Sequence, residues 1–222
     1  MNRSTLVSIS GVALVILLFT TPHYFASTAT ALPDPVVDDK LAAQKGHSKI
    51  VLAGGCFWGL QAVFEHVKGV HHVTAGYSGG TVKNPNYEEV SSGETGHAES
   101  IEIDYDPSII TVGTLLKIFF SVAHDPTELN RQGPDTGTQY RSAIFFENED
   151  QRHIAQAYVN QLNEAKLFSG RIVTQIVPFQ AFYRAEEYHQ DYAVQHPDNP
   201  YIARFDLPKV KHLQEEFPSL YH

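Results

Sequence analysis

The chain of 222 residues contains one cysteine, Cys56, one methionine, Met1, and one tryptophan, Trp58. A single cysteine excludes an internal disulfide, so oxidation is not what holds this fold together. It also argues against a structural zinc site. The adjacent His71 and His72 lie on an expected strand, point to opposite faces and do not converge on one ion. Cations are scarce as well: 16 Lys and Arg stand against 25 Asp and Glu, giving a formal charge of −9. No basic stripe interrupts the acidic excess, which argues against nucleic acid as a partner. The longest apolar run, Leu6 to Phe19, is broken by Ser8, Ser10 and Gly11. It falls short of the roughly 20 residues needed to cross a bilayer.

What is present divides the chain into four parts. Arg3, the short apolar run and Ala29-Thr30-Ala31 read as an export signal over residues 1–31, with an uncleaved anchor as the alternative. The expected destination is periplasmic or secreted. Cleavage there removes the only methionine, which suits either compositional drift or adaptation to oxidants. Residues 32–46 read as a linker with little to bury. Residues 47–206 carry the periodic core, and 207–222 form a C-terminal tail.

Within the core, Ile50-Val51-Leu52-Ala53 ends at Gly54-Gly55 and reads as a buried strand. Phe57, Leu60, Val63, Phe64 and Val67 then recur at helical spacing, so a helix starts near Cys56. A strand follows over Val70–Tyr77, then a turn-rich stretch from Ser78 to Gly96. Ile101, Ile103 and Tyr105 alternate with Glu102 and Asp104 as in a half-buried strand. Val112, Leu115, Leu116, Phe119 and Phe120 mark a second helix, and 124–141 a long polar loop. A strand at Ala143–Phe146, a third helix over 149–167 and a strand at Ile172–Val177 complete the pattern. This order, βαββαβ, predicts an α+β ferredoxin-like two-layer sandwich with an irregular C-terminal extension.

Cys56 sits where the first strand passes into the first helix. The free N–H groups and dipole of a helix start favour an anion, so the thiol there is expected to be more acidic than usual. The same position also suits a buried, inert cysteine. Trp58 falls outside the apolar phase of the helix, which points to a wall beside the sulfur; Phe57 fits either a wall or the core.

The segment Gly54-Gly55-Cys56-Phe57-Trp58-Gly59 resembles the signature of the peptide methionine sulfoxide reductase A family. The resemblance continues through Ala75-Gly76-Tyr77-Ser78-Gly79-Gly80, Asn84-Pro85-Asn86-Tyr87 and Gly96-His97-Ala98-Glu99. It extends to His124-Asp125-Pro126 and Asp135-Thr136-Gly137-Thr138-Gln139-Tyr140-Arg141-Ser142, covering roughly residues 49–206 in order. It implies an enzyme that reduces methionine S-sulfoxide, in oxidised proteins or as the free amino acid. On these matches Cys56 is the nucleophile and Phe57 with Trp58 hold the substrate methyl. Glu99 is the acid that protonates the departing oxygen, Tyr87 and Tyr140 donate hydrogen bonds to it, and Asp135 lies in the same pocket. Taken without the resemblance, Glu99 reads as a solvated strand residue, the tyrosines equally as core or as site residues, and Asp135 as a turn cap. A general acid needs a raised proton affinity, which burial beside Trp58 supplies. Glu186, Glu187, His189 and Tyr192 match a further family stretch with a supporting role.

Many relatives carry C-terminal cysteines that resolve the oxidised one; residues 197–222 hold none. This resembles the single-cysteine subgroup. It implies a Cys56 sulfenic acid cleared by an external thiol: thioredoxin, glutaredoxin with glutathione, or dithiothreitol in the test tube. No bound cofactor is implied, and a monomer is. Rival readings are a cysteine hydrolase using Cys56 with His97 and Glu99, a thiol peroxidase, and a binding module with exposed aromatics.

Overall fold

A computed structural model describes residues 31–222. Apart from Ala31, the expected export signal lies outside the described residues. Eight strands and six α-helices follow in chain order, numbered here as they occur. They are β1 (Ser48–Gly54), α1 (Phe57–Glu65), β2 (Val70–Ser78), α2 (Tyr87–Ser91), β3 (Ala98–Tyr105), α3 (Val112–Ile118), β4 (Arg131–Gln132) and β5 (Asp135–Thr136). Then come β6 (Ser142–Phe146), α4 (Glu149–Ala165), β7 (Gln175–Pro178), β8 (Phe182–Arg184), α5 (Tyr192–Gln195) and α6 (Leu207–Glu216).

The main sheet has the order β7-β6-β1-β3-β2-β8, and a hairpin pairs β4 with β5. Its middle four strands, β6-β1-β3-β2, each run antiparallel to their neighbours in that order, and α1 and α3 supply the two crossovers. This is the expected ferredoxin-like arrangement. Strand β7 adds in parallel to β6, and β8 adds antiparallel to β2 at the far edge. The sheet is therefore mixed, and it curls. Only residues 179–181 join β7 to β8, a reach of about 14 Å at most. A flat sheet would separate its outer strands by about 24 Å, five spacings of nearly 4.8 Å. Phe179 and Phe182 of this strap pack with Val51, Ala53, Ala98, Ala143 and Phe145 on the face away from α1 and α3. That explains why β1 is apolar on both faces: Ile50 and Leu52 join the helix-side core, Val51 and Ala53 the strap side.

Several expectations change. The turn-rich stretch contains α2, nucleated by a capping box in which Asn86 accepts from the Glu89 N–H at 2.9 Å and Glu89 accepts from the Asn86 N–H at 3.0 Å. The polar loop 124–141 contains the β4–β5 hairpin and a 3-10 turn at Thr138–Tyr140. The third helix stops at Ala165, where Lys166 turns left-handed at φ 54°, and the following strand starts only at Gln175. His71 falls at a bulge where β2 pairs with β3, so strict alternation with His72 is broken.

The two ends are also better anchored than expected. In 32–46, Leu32 enters the main core, Asp38 accepts from the Gly113 N–H at 2.7 Å, and the Pro33 carbonyl accepts from the Tyr158 hydroxyl at 2.9 Å. The C-terminal extension is a regular arm. A π-helical turn at Ile202–Asp206 runs into α6, Ile202 and Leu213 are fully buried, and Tyr221 bridges Val67 at the end of α1. Replacing Leu213 by Ala is expected to cost about 2–5 kcal/mol in urea unfolding, as large-to-small core changes do. An unchanged midpoint would mean that α6 is not docked.

Candidate active site

The site forms at one end of the sheet, where β1 finishes and β3 and β6 begin. Extending the antiparallel register of β1 on β3 sets Glu99 beside the end of β1, next to the turn into α1. Gly55 makes that turn at φ +98°, and a Cβ there would strike the Gln132 side chain. Gln132 in turn is tied at both ends of its amide to the Asp125 backbone, at 3.0 Å each. Packing on a bare glycine thus fixes the loop that carries Asp135 and Tyr140.

Cys56 occupies the N-cap of α1 and is 8% exposed. Its acidity is opposite to the sequence expectation. Burial pushes the thiol well above its ordinary proton affinity, and Glu99 and Asp206 add to the effect; the Trp58 N–H and Lys209 oppose it. The helix start is present, but it is outweighed. A helix terminus is worth about 0.3–2 kcal/mol, or about one pKa unit, whereas full burial shifts a group by up to about 3–5 units.

Glu99 is 2% exposed and accepts from the Phe57 N–H at 3.1 Å. Burial raises its pKa to about 8; the Phe57 N–H and the Cys56 side chain pull it down, and Asp135 and Asp206 push it up. At neutral pH, then, the resting site holds protons on both Cys56 and Glu99. The solvated-residue reading of Glu99 is excluded by its burial.

Tyr140 lies within electrostatic reach of Glu99, Tyr87, Asp135 and Cys56, so those five side chains share one site. Burial raises the pKa of Tyr140 and of Tyr87, which keeps both hydroxyls protonated as donors. Asp135 accepts from the Tyr201 hydroxyl. Phe57 is fully buried against Tyr77 and His189, with ring centroids at 5.8 and 5.1 Å. Trp58 is half-buried and stacks on Tyr192 at 3.9 Å, with its Nε1–H donated to His189 Nδ1 at 3.1 Å. Trp58 thus keeps part of its surface open to solvent, while Phe57 is core.

The supporting stretch divides. Glu186 accepts from the Tyr87 N–H at 2.8 Å and the Tyr77 hydroxyl at 2.9 Å, fixing α2 at the site. His189 and Tyr192 hold Trp58. Glu187 is exposed and pairs with Arg184 at 2.7 Å, away from the chemistry. His97 also drops out: its Nδ1 accepts from the Gly80 N–H and its Nε2 donates to the Val82 carbonyl, so the hydrolase reading loses its base. His124 stays neutral, its pKa lowered by burial to about 4, with Phe119 and Ser142 as partners. Among the described residues no cluster of His, Cys, Asp and Glu is arranged to hold a metal.

Sequence reasoning missed Tyr201, Asp206 and Lys209, which the arm brings to the site. Pro208, which falls in the first turn of α6, was the available sign of a helix start there.

Comparison with known proteins gives a consistent result. The family model described as "Peptide methionine sulfoxide reductase" matches residues 48–220. "Peptide methionine sulfoxide reductase MsrA 2" of Mesorhizobium japonicum is 55% identical over 185 residues, covering 83% of this chain and 94% of the relative. The MsrA of Sulfolobus acidocaldarius is 53% identical over 168 residues, 76% of this chain and 94% of that one. Reduced Mxr1 from Saccharomyces cerevisiae superposes with a TM-score of 0.62 at 33% identity, covering 72% of this chain and 91% of its own. Methionine sulfoxide reductase A of Corynebacterium diphtheriae gives 0.60 at 36% identity, covering 75% and 87%. Matched over most of its length by sequence and by fold, this chain belongs to the peptide methionine sulfoxide reductase family.

Proposed function

We propose a division of labour for the thiol-dependent methionine sulfoxide reduction that membership of this family establishes. The observation that carries it is the buried Glu99 carboxyl, held by the Phe57 N–H beside the Cys56 sulfur. Trp58 receives the substrate methyl, over Phe57 as support. Tyr87 and Tyr140 donate to the sulfoxide oxygen, and Asp135 orders the pocket through Tyr201. Glu99 gives its proton to that oxygen and takes the thiol proton of Cys56 as Sγ attacks the substrate sulfur. The Sγ–sulfur bond forms as the sulfur–oxygen bond breaks and the protonated oxygen leaves. Water then adds its oxygen to Sγ, the Sγ–sulfur bond breaks with its electron pair returning to the substrate sulfur, and methionine leaves. Net, one oxygen passes to Sγ as a sulfenic acid, and Glu99 ends with the proton count it began with. The expected substrate is the S epimer, in proteins or free.

Regeneration needs two external thiol equivalents, because the chain has no second cysteine. The first attacks the sulfenic acid and releases water, forming a mixed disulfide; the second displaces Cys56 as thiol. A redoxin protein or a small thiol such as glutathione fits this role. Residues 1–31 support export of the enzyme, which acts as a monomer in this reading.

Cys56→Ser is expected to abolish S-sulfoxide reduction. Wild-type protein given substrate without reductant should show one trappable sulfenic acid per chain by mass spectrometry. Retained activity, or no added oxygen on Cys56, would overturn the assignment. Glu99 holds its proton below about pH 8, so kcat at saturating reductant should fall as pH rises through that value. Glu99→Gln keeps an acceptor for the Phe57 N–H, and should lower kcat about 10²–10⁴-fold and erase that limb. If the limb survives in the variant, Glu99 is not the acid. Recovery of the chain from its host should give a mature N-terminus at Leu32; an intact Met1 terminus would count against a cleaved signal.

A further inference from the structure

Asp206 and Lys209 have no place in the mechanism above, yet they are built into the site. Asp206 is fully buried, its Oδ1 meets Lys209 Nζ at 3.2 Å, and its Oδ2 has no hydrogen-bond partner among the described residues. The Lys209 side chain is 19% exposed. The pair rests on the first turn of α1. A Cβ at Gly59 would collide with Asp206 Oδ1 and come within 2.8 Å of Lys209 Nζ. Gly59 is the third residue of α1, and the side chain of an N-cap residue such as Cys56 lies over that first turn. The absent side chain at Gly59 is what lets an ion pair from the C-terminal arm lie beside the cysteine.

We propose that Asp206 and Lys209 act as an opposed pair of positioning residues whose charges set the fraction of Cys56 present as thiolate. This rests on Cys56 being the nucleophile. Around the sulfur, Glu99 faces it from β3 and Asp206 from the arm, and both disfavour the thiolate; Lys209 of α6 is the cation that favours it. Tyr87 from α2, Tyr140 before β6 and Tyr201 from the arm face it as neutral hydroxyls, with Asp135 behind Tyr201. His124, packed under Gly54, stays neutral. Lys209 is thus the cation set against the carboxyls of Glu99 and Asp206 around Cys56. Asp206 holds that ammonium against the helix while itself repelling the thiolate.

The two residues therefore pull Cys56 in opposite directions, which a merely structural pair would not do. The test is the pH dependence of Cys56 alkylation by iodoacetamide in the full-length protein, with melting curves to establish folding. Lys209→Gln should move the midpoint up by about 1 unit and lower kcat about tenfold at neutral pH with KM held. Asp206→Asn should move the midpoint down, and Lys209→Arg should restore the wild-type profile. Shifts of the same sign in Lys209→Gln and Asp206→Asn, or no shift in either, would overturn the proposal. If Lys209→Gln does not fold, the Asp206→Asn arm decides: a midpoint that fails to fall overturns it. Alkylation reads the thiol without turnover, so this outcome is separable from loss of the Cys56 assignment, which the Cys56→Ser variant reports.

Discussion

Glu99 accepts the first amide of α1 in a place that water does not reach, and the site is arranged around that hydrogen bond. The amide belongs to Phe57, so the bond fixes the helix start against β3 and with it the direction of the Cys56 sulfur. It also partly compensates for burying a carboxyl, whose desolvation would otherwise be costly. The compensation is incomplete, and the remainder appears as a pKa of about 8. A group that is destabilised as an anion is a group ready to hand over a proton and take another back. Position and proton affinity thus come from the same contact.

The ferredoxin-like core was legible because its strands and helices carry strong periodicity: Ile50 to Ala53, the Phe57 to Val67 stripe and the Ile101 to Tyr105 alternation all fall where expected. Local chemistry at Cys56 was legible in type but not in sign. The helix start is visible in the sequence, whereas the depth of burial and the approach of Asp206 depend on 150 intervening residues. The C-terminal arm was not legible for a related reason. Residues 197–216 are mostly polar, and the few apolar anchors, Ile202, Val210 and Leu213, are too sparse to set a phase. The strap from β7 to β8 escaped notice because curling is a property of the closed sheet, not of any one strand.

The same arm separates what is general from what is particular in this chain. With no cysteine in residues 197–222, the arm has no thiol chemistry of its own. Here it serves as masonry. Tyr201 supports Asp135, Ile202 packs under Trp58 and Tyr192, and Tyr221 closes against His66 at the end of α1. Trp58 stays partly exposed, held by His189 and Tyr192 from the same stretch of chain.

That distribution along the chain has a consequence for assembly. Cys56 emerges near the beginning of the folded part, while His189, which holds Trp58, and Lys209 come from residues more than 130 positions later. A nascent chain carries the thiol long before it carries the residues that surround it. The burial and proton affinity of Cys56 are therefore set last, when residues 186–209 close over a thiol made long before them.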